Sequence, residues 1–211
     1  MNYVMHNGKR LYFKRGWNED AVRGYYNGLL LEQDADSPHR YEYGDFRVEG
    51  GDTVADIGAA EGNFALDAVE RAGALFIFEA DTDWLAALEK TFEPWKEKVV
   101  IVNKFVSDTA GESTLRLDDF FAGKEINFIK ADVEGAEACV LKGAEETLRS
   151  SARIKIALCT YHKQHDAEEF EQTLGGAGFS TEFSNGYMIF KWDKTLSAPY
   201  LRKGLIRGVK Q

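Results

Sequence analysis

The stretch Thr53-Val54-Ala55-Asp56-Ile57-Gly58-Ala59-Ala60-Glu61-Gly62-Asn63-Phe64-Ala65 limits most strongly what this chain can fold into. Val54 and Ile57 flank an acid in a short apolar strand, and a glycine turn then opens into a helix expected from Glu61 to Arg71. Such a strand–turn–helix unit presents backbone N–H groups at the carboxyl edge of a parallel sheet, where phosphate or carboxylate groups bind. A dinucleotide fingerprint needs G-x-G-x-x-G. Here the glycines fall at 58 and 62 with Ala60 between them, which disfavours that ligand without excluding it. Ala60 replaces a glycine comfortably only where the turn is not left-handed. Asp56 would repel a pyrophosphate and suits a ligand that carries an ammonium group.

From residue 53 the pattern alternates. Strands are expected at Thr53–Asp56, Ala74–Glu79, Val99–Asn103, Ile126–Asp132 and Ile154–Thr160. Helices are expected from Thr82 to Phe92, stopped by Pro94, from Gly135 to Ser150, and from Asp166 to Gly176. Phe179–Ser184 and Tyr187–Trp192, split by Asn185-Gly186, read as a closing hairpin. Alternating strands and helices imply an α/β fold with a mostly parallel sheet covered on both faces, and the hairpin adds an antiparallel edge. Residues 1–50 stand outside this rhythm. A hairpin is expected around Asn7-Gly8, then a helix capped at Asn18-Glu19-Asp20 and continuing to Gln33, then a loop at Ser37–Tyr41. This segment is either a cover on the sheet edge or a lid that shapes a substrate pocket.

At 211 residues, one domain can bury a full core. A net charge of −9 argues against nucleic acid as partner, because neutralising phosphates needs a basic face. Lys194, Arg202, Lys203, Arg207 and Lys210 make residues 194–211 a basic C-terminal tail, expected to be solvated. Cys139 and Cys159 sit in apolar runs and read as reduced thiols. No apolar leader or membrane-length run occurs, so no membrane partner and a cytoplasmic location are expected.

Polar residues gather where strands end. Glu79 closes the second strand, where a carboxylate can accept the hydroxyls of a ribose. Ser107-Asp108 follows the third strand and either hydrogen-bonds an adenine edge or forms a plain turn. Phe105 and Trp84 either stack on a base or belong to the core. Lys130, Asp132 and Glu134 alternate with apolar or small residues and share one face as the chain leaves the fourth strand. Charges at the mouth of a buried strand are tolerated mainly when they pair or act on a ligand. Asp132 is the leading candidate to orient or deprotonate a substrate hydroxyl. Glu134 either joins it or caps the next helix, and Lys130 pairs with one of the two. His162, at the end of the fifth strand, is a candidate base with a pKa suited to neutral pH. Mg²⁺ held by Asp132, Glu134 and His162 is conceivable, but the spacing does not demand it and no metal is expected.

Together, Val54-Ala55-Asp56-Ile57-Gly58-Ala59-Ala60-Glu61-Gly62, Phe78-Glu79-Ala80, Val106-Ser107-Asp108 and Ile129-Lys130-Ala131-Asp132-Val133-Glu134-Gly135-Ala136-Glu137 resemble the FkbM-type S-adenosylmethionine-dependent methyltransferases. The resemblance covers about residues 50–192, and the Lys-x-Asp-Val-Glu-Gly-Ala-Glu run is its most specific part. It implies a Rossmann-like class I methyltransferase with a seven-stranded sheet, and residues 51–193 as its S-adenosylmethionine-binding domain. It also implies O-methylation of a small hydroxylated acceptor, a sugar or natural-product scaffold. Position by position, Asp56, Gly58 and Gly62 would hold the methionine end, with Ala60 and Asn63 in the same turn. Glu79 and Ala80 would take the ribose, Ser107 and Asp108 the adenine, and Asp132 would face the methyl group. The chain departs from the family at Leu158-Cys159-Thr160-Tyr161-His162, where many relatives place Glu before His.

Two rivals stay open. An NAD-dependent Rossmann oxidoreductase leaves Asp132-Val133-Glu134-Gly135 unexplained, and a non-catalytic nucleoside-binding module leaves the strand-end acids without a task. Methylation of nitrogen or of a carboxyl group, and the oligomeric state, are open as well.

Overall fold

The computed structural model describes residues 1–211. The chain opens with β1 (Tyr3–His6) and β2 (Lys9–Tyr12), an antiparallel hairpin with Tyr3 opposite Tyr12. Asn7 and Gly8 take φ 48° and 81°, the left-handed pair that a two-residue hairpin turn requires. Helix α1 (Glu19–Glu32) follows, and the Ala21 N–H donates to the Oδ1 of its cap Asn18 at 2.9 Å.

The alternating unit then runs β3 (Thr53–Ile57), α2 (Asn63–Ala68), β4 (Ala74–Phe78), α3 (Thr82–Phe92) and β5 (Val99–Val102). After the short β6 (Phe105–Val106), β7 (Thr114–Leu115) and α4 (Leu117–Phe120) come β8 (Phe128–Ala131), α5 (Glu137–Gly143), α6 (Glu145–Ser150), β9 (Ile154–Cys159) and α7 (Asp166–Gly176). The chain closes with β10 (Ser180–Phe183) and β11 (Leu205–Lys210). The main sheet has seven strands in the order β5-β4-β3-β8-β9-β11-β10. β11 is antiparallel to both its neighbours and the other pairs are parallel, so β11 alone runs against the other six. The strand order reverses between β3 and β8. Open α/β sheets bind ligands at such a switch point.

Alternation along the strands splits the core in two. Val54, Leu75, Ile77, Phe128 and Cys159 face a layer that includes α2, α3, β2 and the residues around Tyr41. Ala55, Ile57, Ile129, Ile156 and Leu158 face the layer of α5, α6 and α7. The N-terminal segment is therefore part of the first layer. No helix is long and apolar enough to cross a membrane.

Four sequence expectations need correction. The helix expected over residues 61–71 is shorter, Asn63–Ala68. The single helix expected over residues 135–150 is two, because Asp118 accepts the Glu146 and Thr147 N–H groups at 3.3 and 2.8 Å and caps a fresh helix there. The antiparallel edge exists, but β10 pairs with Leu205–Lys210, and Tyr187–Trp192 is no strand. Residues 194–211 are thus not a solvated tail. Leu205 and Ile206 are fully buried, and the Arg207 guanidinium donates to the Arg40 and Tyr41 carbonyls at 2.6 and 3.3 Å. Arg202 is buried too, donating to the Tyr161 and His162 carbonyls and pairing with Asp193. These arginines hold the 39–41 loop and the end of β9 in place.

Candidate active site at the carboxyl edge of the sheet

A cavity of about 800 Å³ opens where β3, β4 and β8 end, and residues of α1 and the 39–41 loop close one side. Its floor is the Gly58 turn. Gly58 has φ 72°, and a Cβ there would lie 1.9 Å from the Asp132 carbonyl oxygen, so only glycine lets β3 and β8 diverge at this point. Ala60 is left-handed after all, with φ 48°. Its N–H donates to the Glu79 carboxylate at 2.7 Å, which helps hold a conformation that costs a non-glycine residue about 1 kcal/mol. Gly62 packs against Leu88 and Phe92 and does not line the cavity.

Asp56 is fully buried beneath this turn and does not reach the cavity. Its Oδ1 lies 3.1 Å from Lys130 Nζ, which donates to the Gly58 carbonyl at 2.6 Å and sits 5.1 Å from the centre of the Tyr41 ring. The expected contact of Asp56 with a ligand ammonium is replaced by this internal ammonium, and Lys130 pairs with Asp56, an assignment the alternation at 130–134 did not include. Burial lowers the Lys130 pKa, but the charges of Asp56 and Asp132 outweigh it and raise it above the ordinary lysine value.

Glu79 lies on the wall, its two oxygens accepting the Ala60 and Asp81 N–H groups at 2.7 Å each. That fixes the carboxylate and leaves a second lone pair on each oxygen facing outward. Ala80, Asn63, Ser107 and the largely exposed Phe105 share the wall, whereas Asp108 does not. Cys139 also borders the cavity, and both cysteines are free thiols.

Asp132 is the hub of the opposite half. Tyr41 Oη donates to its Oδ2 at 2.7 Å, and His39 Nε2 lies 3.2 Å from the same oxygen. His39 also meets Tyr161 Oη at 3.1 Å. Burial pushes the Asp132 carboxyl up, but the His39 contact and the charges of His39, Lys130 and His162 hold it well below the usual carboxylate range. These contacts favour the carboxylate form of Asp132. Glu61, nearly inaccessible on the same wall, accepts the Tyr25 hydroxyl at 2.9 Å. Burial pushes it up to about 7 against its own backbone N–H, Tyr25 and Lys130.

Glu134 stands at the rim, exposed, and α5 has no side-chain cap, so it does not cap the next helix. His162 does not line the cavity. Its buried ring lies behind Asp132, with Nδ1 2.8 Å from Glu137 Oε1. Burial lowers its pKa, but Glu137, Asp132 and Glu134 together raise it above the ordinary histidine value.

Tyr25, His39, Tyr41, Glu61 and Tyr161 border the site, although Glu61 and Tyr161 stood in the quoted stretches without a role and the other three lay outside them. Tyr25 carried a signal only as part of the periodic face of α1. The pairing of residues 39 and 41 with residue 132 spans more than 90 positions and has no local signature.

A seven-stranded sheet in this order, one reversed strand and a pocket at the switch point define a class I methyltransferase fold. Residues 55–188 match the Methyltransferase FkbM domain, and the chain belongs to that family. The structure is similar to that of Methyltransferase FkbM from Methylobacillus flagellatus KT, with a TM-score of 0.61 and 16% identity over 91% of this chain. This chain spans 60% of the length of that protein. It is also similar to precorrin-6y C5,15-methyltransferase from Geobacter metallireducens GS-15, with a TM-score of 0.51, 17% identity, and coverage of 78% of this chain and 82% of that one. SMU.1697c from Streptococcus mutans, solved in complex with SAH, gives a TM-score of 0.52 and 12% identity over 89% of this chain and 97% of its own. No curated protein matches the sequence.

Proposed function

We propose that this protein transfers a methyl group from S-adenosylmethionine to a hydroxyl of a small, uncharged acceptor such as a sugar. The observation that carries the reading is Asp132, set on the cavity wall and clamped by Tyr41 and His39. Residues present fit the cofactor. Glu79, immobilised by two backbone N–H groups, offers outward lone pairs to a ribose diol. Ser107 and Phe105 stand beyond it for a base, and Glu61 together with the Gly58–Ala60 backbone stands on the other side for an amino acid end. Bound there, S-adenosylmethionine supplies an electrophilic methyl on a sulfonium that is already a good leaving group.

The protein's share of the work is positioning. Asp132 accepts a hydrogen bond from the acceptor hydroxyl and aligns its lone pair, and the aromatic lid of Tyr25, Tyr41 and Tyr161 excludes water. The carboxylate polarises the hydroxyl during the transfer and takes its proton as the oxygen becomes positive. Glu32, Glu61, Asp132 and Glu134 all border this half, and its buried cation, Lys130, is committed to Asp56. That charge balance opposes a carboxylate or phosphate acceptor. A neutral hydroxyl fits it.

Isothermal titration with S-adenosylhomocysteine, with NAD as control, is the first test. Selective binding of the nucleoside supports the reading, and binding of NAD alone would return the site to the oxidoreductase alternative. Methyl uptake is then compared across hydroxylated, amine and carboxylate acceptors. Asp132→Asn should keep S-adenosylhomocysteine affinity while turnover falls about 10²- to 10⁴-fold. Loss of binding instead would make Asp132 a cofactor or structural residue.

A further inference from the structure

Methyl transfer gives no task to the outer face of residues 187–203. Met188 and Arg202 exchange both backbone hydrogen bonds at 2.8 Å, the one bridge of a short antiparallel ribbon between β10 and β11. Alternation then fixes the ribbon's two sides. Met188 and Phe190 pack against the core, and Arg202 is buried and paired with Asp193. Tyr187, Ile189 and Leu201, each one residue away from these, point the other way and are more than half exposed. Trp192, 73% exposed, and Tyr200 continue the apolar run at the ribbon's tip. Five of the chain's thirteen exposed large apolar side chains thus lie within residues 187–201. Surfaces that face only water rarely concentrate apolar groups in this way.

Cations border the same face. Lys203 Nζ lies 4.6 Å from the centre of the Tyr187 ring, and Lys191 Nζ lies 4.9 Å from that of Trp192. Asp193, the only acid in the stretch 185–203, is neutralised by Arg202. Lys191, Lys194 and Lys203 are left over, a local net charge of +3 in a chain of net charge −9. Rings bordered by lysines suit the boundary of a bilayer. There the rings sit at headgroup level, aliphatic side chains reach the acyl layer, and ammonium groups meet lipid phosphates. Nucleic acid offers no apolar layer for Ile189 and Leu201. A second copy related by a two-fold axis would set these lysines against themselves.

We propose that the outward face of residues 187–203 docks on an anionic lipid bilayer. Such a contact needs neither a leader nor a spanning run, the two features whose absence underlay the expectation of no membrane partner. On the ribbon's inner side, Phe190 meets the Tyr161 and His162 rings at 5.5 and 5.0 Å, and Tyr161 borders the cavity. Docking therefore holds the acceptor half near the lipid surface, where lipid-borne acceptors are concentrated. That consequence rests on the methyltransferase reading, whereas the docking does not.

The test is cosedimentation of the full chain with vesicles of phosphatidylcholine containing about one third phosphatidylglycerol, against phosphatidylcholine alone, at about 0.15 M salt. Saturable binding to the anionic vesicles is expected, at least about tenfold stronger than to the neutral ones and weakened by added salt. Trp192→Ala and Ile189→Ser should each lower partitioning at least about threefold, and Lys191→Gln combined with Lys194→Gln at least about tenfold. All four side chains are exposed, so the variants should melt as wild type does. Val100→Ser, exposed on β5 at the opposite edge of the main sheet, should bind as wild type does. No binding to anionic vesicles overturns the proposal, as does binding that survives all the ribbon variants. Dimerisation that depends on Trp192, without vesicle binding, assigns the face to a second copy and also overturns it. If the vesicles bind as stated while S-adenosylhomocysteine does not, the docking stands and the cofactor reading falls.

Discussion

Glu61→Gln separates the electrostatic cost of the site from its packing. Glu61 is 2% exposed, and burial raises its pKa from the ordinary 4.5 to about 7. Below pH 4.5 the carboxyl is neutral in folded and unfolded chains, and no penalty exists. Between these values the unfolded chain releases the proton and the folded one keeps it, so stability falls as pH rises. Above pH 7 both are ionised and the penalty is at its full size. At roughly 1.4 kcal/mol per pH unit, that size is about 3 kcal/mol. Glutamine keeps an oxygen for the Tyr25 hydroxyl and carries no charge. Urea unfolding at 25 °C should therefore show the variant more stable than wild type by about 3 kcal/mol at pH 8 and nearly equal to it at pH 4.5. A difference that does not change with pH would refute the reasoning, as would a variant less stable at pH 8. Either result would mean that Glu61 is solvated or paired when ionised.

Deleting residues 205–211 removes the buried Leu205 and Ile206 and the Arg207 bonds to the 40–41 carbonyls. A loss above about 5 kcal/mol and no cooperative melting transition are expected by circular dichroism. A free tail would leave the transition in place. Gly58→Ala sets a Cβ 1.9 Å from the Asp132 carbonyl and should abolish S-adenosylhomocysteine binding in titration, at a stability cost of several kcal/mol. Gly44→Ala, at φ 57° with open space around it, should cost only about 1 kcal/mol and leave binding intact.

The β/α rhythm, the Asn7-Gly8 hairpin and the Asn18 cap were legible because each is written within a few residues: an apolar period, a turn dipeptide, a capping side chain. The same local reading went astray at Asn185-Gly186. That dipeptide does turn, with Gly186 at φ 89°, but the chain beyond it makes only a single bridge, Met188 to Arg202. The strand that completes the sheet starts 22 residues after the end of β10. Leu205–Lys210, with its flanking basic residues, has the composition of a tail. Its burial follows from the open edge that β9 offers.

Strand-end acids behaved likewise. The sequence alone determined that Asp56, Glu79 and Asp132 leave their strands near the carboxyl edge of a parallel sheet, since side-chain alternation and strand order follow from local pattern. Only the tertiary structure decided which of them meets the cavity. Asp56 points under the Gly58 turn onto Lys130, whereas Glu79 and Asp132 face the cavity. His39 and Tyr41 converge on Asp132 because Arg207, from the far end of the chain, holds their loop. Contacts of that span depend on how layers pack, and packing is a property of the whole chain that no window of sequence contains.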